Sequence, residues 1–181
     1  MTGTQHHSRA FRLAAGRRRL AVSLVAAMAC MMGLAQAADP ASPVTAPDFV
    51  LKSTAGPNIR LSEYRSEVVA LAFVASWCGA CRESLPQWQG LQQEFGAEGL
   101  RFITVSFDTR PEAAAGMAGS AGGAFPMLLD PAGETGRLYA IGRLPALVLV
   151  DREGRLRSQY RDGRLAPGNE IRREIRRLLD E

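Results

Sequence analysis

Histidine is almost absent from this 181-residue chain, and cysteine is nearly so. Both histidines, His6 and His7, lie at the extreme N-terminus, and the cysteines are Cys30, Cys78 and Cys81. After residue 38 only Cys78 and Cys81 remain of these residue types, which is too few for a zinc site with its usual four ligands. An excess of charge is missing too. Residues 1–38 hold Arg9, Arg12, Arg17, Arg18 and Arg19 and no acid, so the rest of the chain carries 17 basic residues against 18 acidic ones. A nearly neutral domain gives no electrostatic footprint for nucleic acid, and no such partner is expected. There is no internal repeat, and no low-complexity segment beyond the N-terminal leader and spacer.

What is present is enough apolar material, 46% of residues, for one domain with a real core. The leader has the layout of a secretory signal: Arg17-Arg18-Arg19, an apolar stretch from Leu20 to Leu34, then the small residues Ala35-Gln36-Ala37. Residues 1–37 are therefore read as a signal peptide cleaved after Ala37. An uncleaved anchor is the alternative, since roughly 18 residues from Leu20 would span about 27 Å as a helix. Gly16-Arg17-Arg18-Arg19-Leu20 also fits twin-arginine export weakly. Lipidation of Cys30 is disfavoured by Ala27, where a lipoprotein signal carries a large aliphatic residue. Residues 38–47, rich in Pro, Ala, Ser and Thr, read as a flexible spacer, and residues 48–181 as the domain.

The domain is organised around Trp77-Cys78-Gly79-Ala80-Cys81, which follows the apolar run Val68 to Val74. A buried strand delivers two cysteines to the start of a helix, where unpaired N–H groups and the positive end of the macrodipole stabilise a thiolate. Cys78, the outer of the two, is the expected attacking thiol. Cys81, one turn further in, is placed to attack a mixed disulfide on Cys78 and release the partner. A purely structural disulfide is a poorer account, because a bridge across three residues constrains the unfolded chain least.

Along the chain, Phe49 to Lys52 and Asn58 to Leu61 read as short strands around Gly56-Pro57, and Ser62 as the cap of a single helical turn. Val68 to Val74, apolar without alternation, reads as a strand covered on both faces. Leu85, Trp88, Leu91 and Phe95 recur at helical spacing, so a helix is predicted from Cys78 to Phe95, kinked at Pro86. Arg101 to Phe107 is the next strand. Pro111 to Ala124 is a short helix that decays into glycines and a mobile loop. Phe125 to Leu129 is a strand, Glu134 to Tyr139 a helix, and Ala146 to Val150 and Arg155 to Tyr160 an antiparallel pair. The tail after Pro167 carries Ile171, Ile175, Leu178 and Leu179 on one helical face. Packing on the sheet is expected there rather than a membrane-surface helix, since Glu170 and Glu174 interrupt the basic side.

This order of elements gives an α/β fold with a central mixed sheet flanked by helices. Several segments resemble the exported TlpA/ResA-like thioredoxins: Ala46-Pro47-Asp48-Phe49, Leu61-Ser62-Glu63-Tyr64-Arg65, Phe73 to Arg82 around the cysteines, Phe125 to Asp130, and Leu144 to Asp151. The resemblance covers about residues 44 to 180. It implies a thioredoxin-like fold, with the segment around 111–130 similar to the insertion of the TlpA type. It implies that Pro145 is a cis proline facing the cysteines, that the Leu144 backbone pairs with an extended substrate, and that Trp77, Gly79 and Ala80 contribute to substrate binding. A proline opening an apolar strand also suits a start with no ladder donor to give. Three positions depart from the family pattern: Ala80 replaces a proline, Val74 a tryptophan, and Ser84 a glutamate whose nearest counterpart here is Glu83. The acid on the central strand of thioredoxin falls at Ala72.

The function implied is a thiol-disulfide oxidoreductase acting as a reductase in the periplasm or on the outer face of the cytoplasmic membrane. Its substrates would be cysteines of exported proteins, in cytochrome c or copper-site maturation, and a membrane electron donor would re-reduce the pair. No cofactor or metal is expected beyond the Cys78–Cys81 pair. Two other readings are a peroxiredoxin-like peroxidase and a non-catalytic Cu(I)-binding module. The first is disfavoured because Leu71 and Ala75 stand where a peroxiredoxin has proline and a hydroxyl residue; the second is weakened by the lack of histidine and of a methionine-rich loop. For export, the expected result is a mature chain beginning at Ala38. Intact-mass spectrometry of the exported protein checks this, and retention of Arg17 to Arg19 would show an anchor instead.

Overall fold

A computed structural model describes residues 44–161 and 168–181; the proposed signal peptide, Cys30 and most of the spacer lie outside them. The central strand is β3 (Val68–Val74), and all seven of its residues are buried. Successive side chains of a strand point to opposite faces, so this run needs cover on both sides. Val68, Ala70, Ala72 and Val74 join one core, and Val69, Leu71 and Phe73 the other.

The first core is roofed by α1 (Gly79–Phe95), which buries Cys81, Leu85, Trp88, Leu91 and Phe95. The i, i+3, i+4 recurrence of these residues makes the stripe that turns this segment toward the sheet. Pro86 lies on its exposed side and α1 continues through it to Phe95. A one-turn 3₁₀ helix (Gly96–Glu98) follows, and Gly99 reverses the chain at φ 103°, which glycine adopts without a Cβ penalty. The chain then enters β4 (Leu100–Ser106), paired in parallel with β3 along its whole length, from Val68 opposite Leu100 to Val74 opposite Ser106.

The remaining strands complete a mixed seven-stranded sheet. They are β1 (Val50–Ser53), β2 (Ile59–Arg60), β5 (Met127–Leu129), β6 (Ala146–Val150) and β7 (Leu156–Tyr160), in the order β2-β1-β5-β4-β3-β6-β7. A 3₁₀ turn over Leu61–Tyr64 sits where the Ser62-capped turn was predicted, although Asp48 accepts from the Ser62 N–H and O–H rather than Ser62 capping it. Between β4 and β5 the insertion is an ordered helix, α2 (Pro111–Ser120), anchored by buried Ala114 and Met117. It ends in a turn at Gly122 and Gly123, both at positive φ. The following strand starts at Met127 instead of Phe125. Phe125 is a core residue whose ring lies tilted against Phe102, and the Pro126 carbonyl accepts from both the N–H and the hydroxyl of Thr104. On the opposite face, α3 (Glu134–Leu138) leads to Tyr139, which packs between Phe49 and Phe73 and donates its hydroxyl to the Pro47 carbonyl.

The last helix, α4 (Gly168–Leu179), buries Ile171, Ile175 and Leu178 in the core that α1 also covers. Removing three such side chains from water is worth about 1.5–3 kcal/mol each, far more than its surface ion pairs. Arg172 nevertheless bonds Glu94 at 2.9 Å, and the Arg176 guanidinium lies over the Phe95 ring at 4.6 Å. The helix is therefore part of the domain, as its pattern predicted.

The closing hairpin is held by Asp151, whose side chain is 2% exposed. One oxygen accepts from the N–H groups of Glu153 and Arg155, and the other from the guanidiniums of Arg155 at 2.7 Å and Arg157 at 3.1 Å. Burial by itself would raise this carboxyl's pKa, but the bonds from the Arg155 N–H and from both guanidiniums outweigh it and hold the group below its ordinary value. A carboxyl with a depressed pKa stabilises the fold above its unfolded value and loses that contribution as pH falls through the folded one. Asp151→Asn is therefore expected to cost about 2 kcal/mol at pH 7. The gap to wild type should begin to narrow at about pH 4, the unfolded value, and close as pH falls through the lower folded one. Urea unfolding at pH 7 and pH 3 checks this, and an equal gap at both would assign the loss to packing rather than charge.

Candidate active site

The chain leaves β3 at Val74 and turns over Ala75–Cys78, where the Cys78 N–H donates to the Ala75 carbonyl at 3.1 Å. Cys78 then caps α1 from an extended conformation, and its sulfur accepts the Cys81 N–H at 3.1 Å. That bond takes up one of the orphan donors of the helix start, so the sulfur sits where a negative charge is most favoured. Cys78 and Cys81 are joined as a disulfide, with Cα atoms 5.2 Å apart. One turn of helix makes them unlike: Cys78 is 8% exposed and Cys81 is 0%.

Cys78 opens on a groove of about 600 Å³. One side is Trp77, Gly79 and Ala80, and the other is Ile141, Gly142, Arg143 and Leu144, with Phe107 also lining it. Trp77 is 70% exposed, unusual for so large an apolar side chain. The Leu144–Pro145 peptide is cis, and Pro145 is buried immediately before the first residue of β6. Of the residues predicted for the site, Trp77, Cys78, Gly79, Ala80 and Leu144 line this groove, while Cys81 and Pro145 are buried beside residues that do.

The polar setting of the turn was not foreseen. Asp108, just past the end of β4, accepts the Ser76 N–H at 2.9 Å and the Ser76 hydroxyl at 2.7 Å. Its second partner is Ser106, whose hydroxyl donates at 2.7 Å. Arg82, next to Cys81, donates to the Ser76 carbonyl at 2.9 Å. The available signal was the parallel β3–β4 register, which brings the residues after each strand to one edge of the sheet. Phe107 and the 141–143 segment were also missed; Phe107 is seated by Gly136, where a Cβ would collide with its ring.

Ser84 is buried, and its hydroxyl donates to the Ala80 carbonyl at 2.8 Å. Glu83 is exposed on α1, off the buried stripe of Leu85 and Trp88. Among the described residues, no carboxylate hydrogen-bonds either cysteine. The arrangement is an accessible, helix-capping sulfur backed by a shielded one in a groove open to a polypeptide, which is the geometry of thiol-disulfide exchange.

A model of the AhpC/TSA family matches residues 44–159. The thiol-disulfide oxidoreductase ResA of Geobacillus kaustophilus is 29% identical over 136 residues, 75% of each chain. A crystal structure of a putative thiol:disulfide interchange protein DsbE from Chlorobium tepidum is 32% identical, with a TM-score of 0.71 over 76% of this chain and 96% of that one. The chain belongs to the AhpC/TSA family, among its ResA/TlpA-like thiol-disulfide oxidoreductases. ResA of Bacillus subtilis is 30% identical over 111 residues, which are 61% of this chain and 62% of that protein. Membership of the ResA/TlpA-like group agrees with the seven-stranded thioredoxin-like sheet and with the paired cysteines at the start of α1. At the positions where a peroxidase would need proline and a hydroxyl, Leu71 and Ala75 are fully buried apolar residues.

Proposed function

We propose that this ResA/TlpA-like protein reduces disulfides of exported proteins in the periplasm or at the outer face of the cytoplasmic membrane. Cysteine pairs of cytochrome c or copper-site maturation are the substrate class. The observation that carries the reading is Cys78, a helix-capping sulfur at the mouth of a groove able to take an extended polypeptide. The thiolate of Cys78 attacks a substrate disulfide, forming one S–S bond and releasing one substrate thiolate. Cys81 then attacks Cys78, closes the pair and frees the second. Two electrons pass to the substrate, so a membrane dithiol donor must return the pair to its reduced form in an oxidising compartment. The Cys78–Cys81 pair is the sole redox group in this scheme. The leader-like composition of residues 1–37 supports the location. Trp77, Gly79 and Ala80 on one side, and Leu144 with Pro145 on the other, bind the substrate segment.

Cys81→Ala should accumulate mixed disulfides with partner proteins and Cys78→Ala should not, read by non-reducing electrophoresis and mass spectrometry. The pair should equilibrate with glutathione nearer the about −270 mV of thioredoxin than the about −120 mV of a dedicated oxidase. A value above about −150 mV, or trapping by the opposite mutant, would overturn the assignment. Copper titration beside insulin reduction identifies a Cu(I) module if only the metal is taken up.

Among the described residues no carboxylate hydrogen-bonds the inner thiol, so release of a mixed disulfide is expected to be slow at neutral pH and to rise toward the pKa of Cys81. Stopped-flow release should change little in Glu83→Gln and become faster in Ser84→Glu, whose carboxylate would start from a buried position. A large loss in Glu83→Gln would give the exposed acid the role of base.

A further inference from the structure

Cys78 is held at the first turn of α1 in the oxidised protein by the disulfide to Cys81, by the cap bond from the Cys81 N–H and by the turn Ala75–Cys78. Reduction takes up two electrons and two protons, breaks the Sγ–Sγ bond and leaves two thiols. From then on the turn and the cap bond from the Cys81 N–H keep the reactive sulfur among the helix N–H groups. The turn's second residue, Ser76, has every polar group engaged. The N–H and hydroxyl donate to Asp108, and the carbonyl accepts from Arg82. Asp108 is 5% exposed and is itself fixed by Ser106, which is fully buried, through the 2.7 Å hydroxyl bond and a 3.1 Å bond from the Asp108 N–H to the Ser106 hydroxyl oxygen. The anchor thus runs into β4, the strand beside β3.

We propose that Asp108 is a positioning residue for the reduced protein: through Ser76 it keeps the Cys78 sulfur at the N-terminus of α1 once the disulfide has opened. This rests on the reading that the pair cycles between disulfide and dithiol. A tie that only held the fold together would serve both redox states equally. Here the disulfide already holds the geometry the tie needs, whereas in the dithiol the tie must order the turn itself, so the tie contributes more to the disulfide form and its loss costs more there. By the thermodynamic cycle, that difference appears in the dithiol–disulfide equilibrium. A direct charge effect has the same sign, because removing a carboxylate from the turn that carries Cys78 would favour the thiolate and hence the reduced form, so Ser76→Ala, which keeps the carboxylate, separates the two.

The test is equilibration of the purified protein with dithiothreitol, alongside thermal melts of the oxidised and reduced forms, for wild type, Asp108→Ala and Ser76→Ala. The expected result for Asp108→Ala is a shift of about tenfold toward the dithiol, equivalent to about 30 mV, with a larger fall in Tm for the oxidised form than for the reduced one. Ser76→Ala loses only the hydroxyl bond and leaves the carboxylate in place, so it should shift the same way by less. Equal Tm losses in both states with an unchanged equilibrium would reduce Asp108 to a structural tie. A shift in Asp108→Ala with none in Ser76→Ala would make its effect electrostatic, a shift toward the disulfide would contradict the coupling, and any of these results overturns the proposal. If Asp108→Ala does not fold, Ser76→Ala carries the same readouts. A wild-type pair that fails to equilibrate with dithiothreitol would instead remove the redox reading on which the proposal rests.

Discussion

The parallel pairing of β3 with β4 is the constraint from which the site follows. Seven residues of each strand are in register, so both strands end at one edge of the sheet, with Val74 opposite Ser106. The chain after β3 becomes the turn that carries Cys78, and the chain after β4 becomes Phe107 and Asp108. Two segments about 30 residues apart in sequence are thereby in hydrogen-bond contact. Strand β6 enters beside β3 in the antiparallel sense, pairing Ala146 with Phe73, so the residues just before it reach the same edge. Pro145 therefore sits where the ladder begins, at a place that asks for no N–H donor. The groove is the junction of these strand ends.

Holding that edge in place is the task of the two cores. The α1 side of β3 presents Val68, Ala70, Ala72 and Val74, and the two small residues leave room for helices carrying Trp88, Leu91, Ile171 and Ile175. The other side presents Val69, Leu71 and Phe73 to Tyr139 and Phe49. Because α1 starts at the cysteines and is buried to Phe95, the position of its first turn is set by packing along its whole length. A helix docked in this way cannot tilt at one end without opening the core at the other, since interiors are close-packed.

Much of this was legible in the residues themselves. The boundaries of β3 and β6 follow from uninterrupted apolar runs, and the buried stripe of α1 from the spacing of Leu85, Trp88, Leu91 and Phe95. The cysteine pair at a strand-to-helix junction is a local pattern, visible for the same reason. What could not be read was pairing at long range. Asp108 looks like any acid after a strand until the β3–β4 register places it against Ser76. Arg143 and Ile141 belong to no periodic pattern and enter the groove only because β6 lies next to β3. The insertion was under-read for a local reason. Gly116 and Gly119 weaken α2 by propensity, yet burial of Ala114 and Met117 and a proline at its start suffice to order ten helical residues.

The chemistry of the pair follows from one turn of helix. Cys78 lies at the helix start, where about half a unit of positive charge is available to a sulfur anion. Cys81 lies in the core with Leu85 and Trp88, where burial disfavours the thiolate. Both neighbours that might have relieved this are engaged elsewhere or turned away: the Ser84 hydroxyl is committed to the Ala80 carbonyl, and Glu83 faces solvent. The two sulfurs therefore differ in surroundings and access although they share a helix and are bonded to each other. On the proposed function that difference orders the exchange: Cys78, at the groove, meets the substrate first, and the shielded Cys81 acts only after a mixed disulfide has brought an electrophilic sulfur to it.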